Sequence, residues 1–266
     1  MTDVYTHGHQ EPVLRAHEWR DAGNSAGYLL ASLRPGMSLL DVGCGPGTIT
    51  ADLAGRVAPG TTVGIDAAPS VLDRARTAVG APGAAHAAFA CASVYELPLP
   101  GGTFDVVHAH QVLQHLVHPV EALSEMRRVL RPGGILAVRD ADYGSFVWSP
   151  GDPMLDRWMD LYVAVTRRNG ADAYAGRHLP AWVRAAGFQE ATTTTSTWTF
   201  STPEQRRWWG AVWADRTLHS SFGAQALEYG LADEDELAGI AAAWRRWSSA
   251  AEGFFAFLHV EVLATR

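Results

Sequence analysis

The chain has no lysine, and only two of its 266 residues are cysteine. Arginine therefore carries all of the positive charge, and acidic residues outnumber it to leave a net charge of −7. No basic run interrupts the sequence, so nothing in it advertises binding to nucleic acid or to an anionic membrane. Cys44 and Cys91 fall short of a bridge framework; no disulfide is expected, and a cytoplasmic setting follows by default. No apolar run approaches the ~20 residues of a membrane span. Met1-Thr2-Asp3-Val4-Tyr5 lacks the basic start and apolar core of a secretory leader. Internal repeats and low-complexity linkers are absent too. A single domain over 1–266, large enough to bury a full core without staples, is the expectation.

What is present is a glycine-rich turn. Leu39-Leu40-Asp41-Val42-Gly43-Cys44-Gly45-Pro46-Gly47-Thr48 reads as a buried strand that ends in an acid and breaks into a tight loop before a helix. Glycine permits positive φ and lets a ligand lie against bare main chain. The helix that follows aims its free N–H groups and positive dipole end at that ligand. The spacing is G-x-G-x-G, with Thr48 where the dinucleotide fingerprint needs its third glycine. Asp41, two residues before the first glycine, would repel a pyrophosphate but suits an amino group. A second acid, Asp66, ends the strand Thr61–Asp66, about twenty residues beyond the loop, where a carboxylate can accept from both ribose hydroxyls. Asp41 and the glycine spacing together disfavour a nicotinamide dehydrogenase.

Here the chain resembles the class I S-adenosylmethionine-dependent methyltransferases, and the resemblance continues over residues 37–140. Phe89–Pro98 is similar to the family's third strand and adenine-edge loop, with Ser93 in place of a frequent aspartate. Thr103–Leu116 resembles its fourth strand and the helix after it. Leu130-Arg131-Pro132-Gly133-Gly134-Ile135-Leu136-Ala137-Val138 resembles the helix stop and fifth strand of the branch that includes the quinone methyltransferases. The resemblance implies a Rossmann-like α/β fold: a doubly wound, seven-stranded sheet, mostly parallel, with an antiparallel last strand and helical lid insertions. It implies S-adenosyl-L-methionine as cofactor and S-adenosyl-L-homocysteine as product. It assigns the cofactor to Asp41, Gly43, Cys44, Gly45, Asp66, Ala67, Ala92, Ser93, Val94, His110 and Gln111. Arg20 is the candidate clamp for the methionine carboxylate, because arginine holds carboxylates in a bidentate fork.

Three segments follow from this reading. Residues 1–36 hold an amphipathic leading helix over 11–34 that covers the pocket. Residues 37–140 are the cofactor core, where strands and helices alternate. Residues 141–266 are the substrate side, holding nine of the ten tryptophans. There the pattern predicts a helix over Leu179–Ala186 and a threonine-rich strand over Glu190–Phe200. Helices start at Thr202-Pro203 and Asp233-Glu234, and a last strand starts at Phe254. Residues 201–252 thus form a helical insertion before that strand. Tryptophan at helical spacing belongs to a core, although so many indoles also suit a lid over a flat acceptor. Tyr5, His7 and His9 form either a disordered tail or a lid strand.

His110, His115 and Asp140 are the candidate catalytic groups, since they follow strands whose carboxyl ends meet at one rim. A neutral imidazole there can take a proton from a phenol or ring nitrogen. The spacing of His108, His110 and His115 does not suit a metal. The implied reaction is methyl transfer to a small, aromatic or lipophilic acceptor, on oxygen, nitrogen or carbon, in secondary or quinone metabolism. Two alternatives remain: a fold that binds the cofactor but catalyses another step such as cyclisation, and an enzyme that modifies macromolecules, which the acidic charge and missing motifs disfavour.

Overall fold

The computed structural model describes residues 3–8, 10–78 and 87–266. Three short helices lead: α1 (Glu11–Glu18), α2 (Ala22–Ser25) and α3 (Gly27–Leu30). Then follow β1 (Leu39–Val42), α4 (Thr48–Val57), β2 (Thr62–Asp66), α5 (Pro69–Ala78), β3 (Ala87–Cys91), β4 (Phe104–His110), α6 (Pro119–Val129) and β5 (Leu130–Ala141). The second half holds β6 (Val147–Ser149), α7 (Pro153–Arg168), α8 (Ala175–Ala185), β7 (Glu190–Phe200), α9 (Pro203–His219), α10 (Ser221–Glu228), α11 (Glu234–Ser249) and β8 (Phe254–Thr265).

The sheet order is β3-β2-β1-β4-β5-β8-β6, with β7 paired to β8. β1 to β5 run parallel, and β8 runs antiparallel to β5, β6 and β7. The seven expected strands are all there; the eighth, β6, is a three-residue strand beside the start of β8. Alternation along the strands divides the core between two faces. Leu39, Val106 and Ala137 pack with Leu29, Ile49, Leu53 and Val57 on one face. Leu40, Val107 and Leu136 pack with Leu123, Met126, Leu179 and Val183 on the other. That is the doubly wound arrangement.

The single leading helix expected over 11–34 is instead broken in three. Asp21 accepts from the Asn24 amide while the Asn24 side chain accepts from the Asp21 N–H, a capping box that stops α1 and starts α2. The turn at Trp19-Arg20 places Arg20 over the sheet rim. A third cluster, around α7, α9 and α11, is built from aromatic rings: Trp158, Trp213, Trp244 and Trp247 are each at most 2% exposed. Most of the tryptophans are therefore core. α7, which the composition did not announce, carries Leu155, Trp158, Leu161, Tyr162 and Val165 on its buried face behind an Asp152 cap.

Candidate active site

β1 hands over to α4 through glycines that all adopt positive φ, for different reasons. A Cβ on Gly43 would sit 2.4 Å from the Val112 side chain, so packing requires that glycine. Gly45 faces open space, with His17 Nδ1 the one neighbour at 3.9 Å, so a ligand can lie against its main chain. The Asp66 carboxylate holds this loop open, accepting from Gly45 N at 3.0 Å and Ala68 N at 2.9 Å. Those bonds leave acceptor capacity on both oxygens for further hydroxyls.

Above the loop lies a cavity of about 730 Å³, within the usual range of ligand sites. Every residue expected to touch the cofactor borders it: Asp41, Gly43, Cys44, Gly45, Asp66, Ala67, Ala92, Ser93, Val94, His110, Gln111 and Arg20. The Ser93 hydroxyl accepts from Tyr95 N, leaving its proton to donate outward. Arg20 reaches across from the leading helices and donates to Gln111 Oε1 at 2.7 Å, with its Nε unpartnered. Asp41 is nearly buried, and each of its oxygens accepts one bond from inside the protein, from His108 Nδ1 at 2.7 Å and from Thr50 Oγ1 at 2.5 Å. A carboxylate only accepts, so His108 carries its proton on Nδ1. The β1–β4 register, which sets Asp41 beside His108, makes this pair.

The far wall comes from the amino-terminal segment, which is a strap across the cleft. Asp3 Oδ1 accepts from the Tyr95 hydroxyl and from Val117 N, both at 2.9 Å, tying the strap to the loops after β3 and β4. Tyr5 packs edge-on to His115, with centroids 4.7 Å apart, and its hydroxyl lies 3.5 Å from His17 Nε2. His7 is buried and stacks on Tyr162, whose hydroxyl lies 3.0 Å from its Nε2. His9 lies outside the described residues. Residues 3–8 line the cavity through Asp3, Tyr5 and His7, and they do so as coil and bends, not as a strand.

Family models and relatives agree with this geometry. Residues 40–138 match the methyltransferase domain family. An uncharacterized methyltransferase of Schizosaccharomyces pombe is 32% identical over 260 residues, covering 94% of this chain and 92% of its own. The chain belongs to the S-adenosylmethionine-dependent methyltransferases. The ubiquinone/menaquinone biosynthesis C-methyltransferase UbiE of Ectopseudomonas mendocina is 36% identical over 135 residues, half of each chain. The fold of the methyltransferase also matches the crystal structure of YcgJ from Bacillus subtilis, with a TM-score of 0.59 at 17% identity, covering 90% of this chain and 97% of that one.

The cradle fits that cofactor: bare main chain at Gly45, a carboxylate with spare acceptor capacity at Asp66, and, at the opposite end, Arg20, which has no acidic partner among the described residues. The histidines of the methyltransferase are wired otherwise than expected. Gln114 Oε1 accepts from Ala141 N, which turns its Nε2 toward His115 Nε2 at 3.0 Å. The amide nitrogen donates, so the His115 proton rides on Nδ1, which is buried and unpartnered. At His110 the Arg139 guanidinium lies 3.4 Å from Nδ1; it can only donate, so the proton sits on Nε2, again unpartnered. Burial holds both imidazoles neutral, His115 at about 3 and His110 well below its usual value. Both therefore offer an N–H rather than a basic lone pair.

Asp140 is corrected outright. It is fully buried behind Gln114, whose backbone N donates to its Oδ1, and it does not border the cavity. Burial pushes its carboxyl up to about 8, the protonated form at neutral pH. His7 is the residue that sequence reasoning under-read. Its Nδ1 has no partner, and the Tyr162 hydroxyl opposite Nε2 can donate or accept, so either tautomer fits. The signal was faint, one histidine in a polar amino-terminal stretch. Among the described residues no set of three His, Cys, Asp or Glu side chains is arranged to hold a metal ion. No described helix is long and apolar enough to cross a membrane.

Proposed function

We propose that this methyltransferase alkylates a small aromatic or lipophilic acceptor. One observation carries the proposal. Behind the cofactor cavity lies a recess walled by Trp19, Tyr143, Phe146, Trp198, Trp209 and Trp213, and His7, Arg20 and Gln111 border both spaces. The recess is narrow, about 20 Å³, so the flat body of an acceptor lies in the larger cavity beside His7 and directs only a small substituent toward these aromatic walls, whose faces also favour a neighbouring cation.

Bound S-adenosylmethionine supplies an electrophilic methyl group on a cationic sulfonium. The protein's part is positional. The loop at Gly45, the Asp66 carboxylate and the Ser93 hydroxyl hold the nucleoside, and Arg20, braced by Gln111, holds the carboxylate of the amino-acid end. The strap through Tyr5 and His7 closes the cleft and excludes water. His110 and His115 present N–H groups that orient an acceptor oxygen or ring nitrogen, and His7, in the tautomer that donates from Nε2 to the Tyr162 hydroxyl, turns an Nδ1 lone pair to the acceptor's proton. Residues 141–266 are the acceptor side, and the chain acts as one unit.

The test is transfer of labelled methyl from the cofactor to a panel of phenolic, quinonoid and isoprenoid acceptors. Label on a small acceptor, lowered in His7→Ala with the fold intact, supports the reading. Tight cofactor binding with no label on any acceptor would favour a non-methylating step such as cyclisation.

A further inference from the structure

Arg216, on α9, stands out among the buried charges. The residue is 4% exposed, its Nε has no partner, and its ordered contact is with the Trp213 ring, 5.2 Å from the centroid. The other deeply buried arginines are compensated. Arg139 pairs with Glu261 at 3.2 Å, and Arg206 donates to the Ser201 carbonyl. The acid next to Arg216 in sequence, Asp215, turns outward to Arg15. The ionisable groups that bear on Arg216 are instead Tyr143, Tyr5 and Tyr162, all phenols that burial keeps neutral. A guanidinium withdrawn from water without a counter-charge is expensive. In a chain of net charge −7 acids are not scarce, yet none of the described ones pairs with Arg216.

The charge borders the aromatic recess and not the cofactor cavity. The recess has room for little more than a water molecule, about 20 Å³. A ring does not fit there, but one oxygen of an acidic head group does, with the rest of that group and the ring left in the larger cavity on the other side of His7. A single uncompensated guanidinium matches a single negative charge, and its planar fork matches a carboxylate. Arg20 borders both spaces and is committed to Gln111 and the cofactor end, so the two arginines are not redundant.

Resting on the proposed methyl transfer to an aromatic acceptor, we propose that Arg216 is its specificity residue: it receives a carboxylate carried by the acceptor, and the substrates are aromatic acids rather than neutral phenols or isoprenoids.

The test uses the full chain saturated with S-adenosylhomocysteine, so that cofactor binding does not enter. Salicylate, 4-hydroxybenzoate and indole-3-carboxylate are titrated against their amides, with tryptophan fluorescence or calorimetry as readout. At least one acid should bind the wild type at least ~10-fold more tightly than its amide, the effect of one charge-assisted hydrogen bond. Arg216→Gln should abolish that preference while S-adenosylhomocysteine affinity is retained, and Arg216→Lys should restore part of it. Arg216→Met should melt no lower than the wild type, since it removes a charge without a partner. Equal binding of acids and amides, a preference that survives Arg216→Gln, or no binding of any acid at millimolar concentration would each overturn the assignment. Preference for the acid with no label transferred to it would support Arg216 as the anion site and overturn methyl transfer, so the two failures are distinct.

Discussion

Arg20 donates to the side-chain carbonyl of Gln111 at 2.7 Å, joining the leading helices to the rim of β4 across the cofactor cavity. Gln111 is itself the one described non-glycine residue with positive φ, at 53°. Its Nε2 donates to His259 Nε2 at 2.7 Å, which fixes the amide and so fixes which atom Arg20 meets. Strain of this kind persists where surrounding contacts over-determine it, and it concentrates at ligand sites.

Gln111→Ala should therefore weaken binding of S-adenosylhomocysteine, by about 10-fold, because Arg20 loses the acceptor that aims it. Gln111→Gly should weaken it equally while melting no lower than the alanine variant, since glycine accepts positive φ without cost. Calorimetry together with thermal melts separates the two effects. Unchanged affinity in both variants would remove Gln111 from the site.

The strap predicts a kinetic effect. Asp3→Ala removes the acceptor shared by the Tyr95 hydroxyl and Val117 N. The closed state loses two hydrogen bonds that the open state lacks, so S-adenosylhomocysteine should dissociate several-fold faster with a smaller change in its association rate. Stopped-flow displacement measures both rates. Equal dissociation from the variant and the wild type would make residues 3–8 a passive cover.

Stability should depend on pH from two directions. Burial lowers His115 to about 3 and pushes His7, His110 and His259 well below their usual value. Below about 6.5 the unfolded chain then binds more protons than the folded one, so stability present above that pH is lost as pH falls toward 3. Asp140 acts oppositely. With its folded value raised to about 8, its contribution is present below about 4 and is lost as pH rises to 8. His115→Asn should flatten the acid limb of a urea-unfolding series between pH 7 and 4.5. Asp140→Asn should flatten the limb between pH 5 and 8. Limbs as steep as the wild type's would mean that these groups meet water in the folded protein.

Much of this was legible in the sequence, for local reasons. The turn from β1 to α4 is written in three alternating glycines, all of which take the positive φ that other residues resist. Thr202 and Asp233 sit at cap positions, where their side chains accept from Gln205 N and Glu236 N as their spacing requires. The candidate cofactor residues follow from the rule that ligands gather at strand carboxyl ends, and they border one cavity. The failures are tertiary. Whether His115 is a base or a donor depends on Gln114, and Gln114 is oriented by Ala141 N, at the end of β5. Asp140 lies within β5, which runs one residue further to Ala141, and its side chain is buried there. The isolation of Arg216 cannot be read locally, because Asp215 beside it is its obvious partner and points away.

The most direct measurement is calorimetric titration of S-adenosylhomocysteine into the wild type and into Asp66→Ala and Asp66→Asn. Asp66 ends β2 and faces the cavity between Gly45 and Ala68. Its loss should weaken binding at least ~10-fold in the alanine variant, as two charge-assisted hydrogen bonds to the ribose disappear, and less in the asparagine variant, which keeps one acceptor. Wild-type affinity in both variants would contradict placement of the nucleoside on this loop.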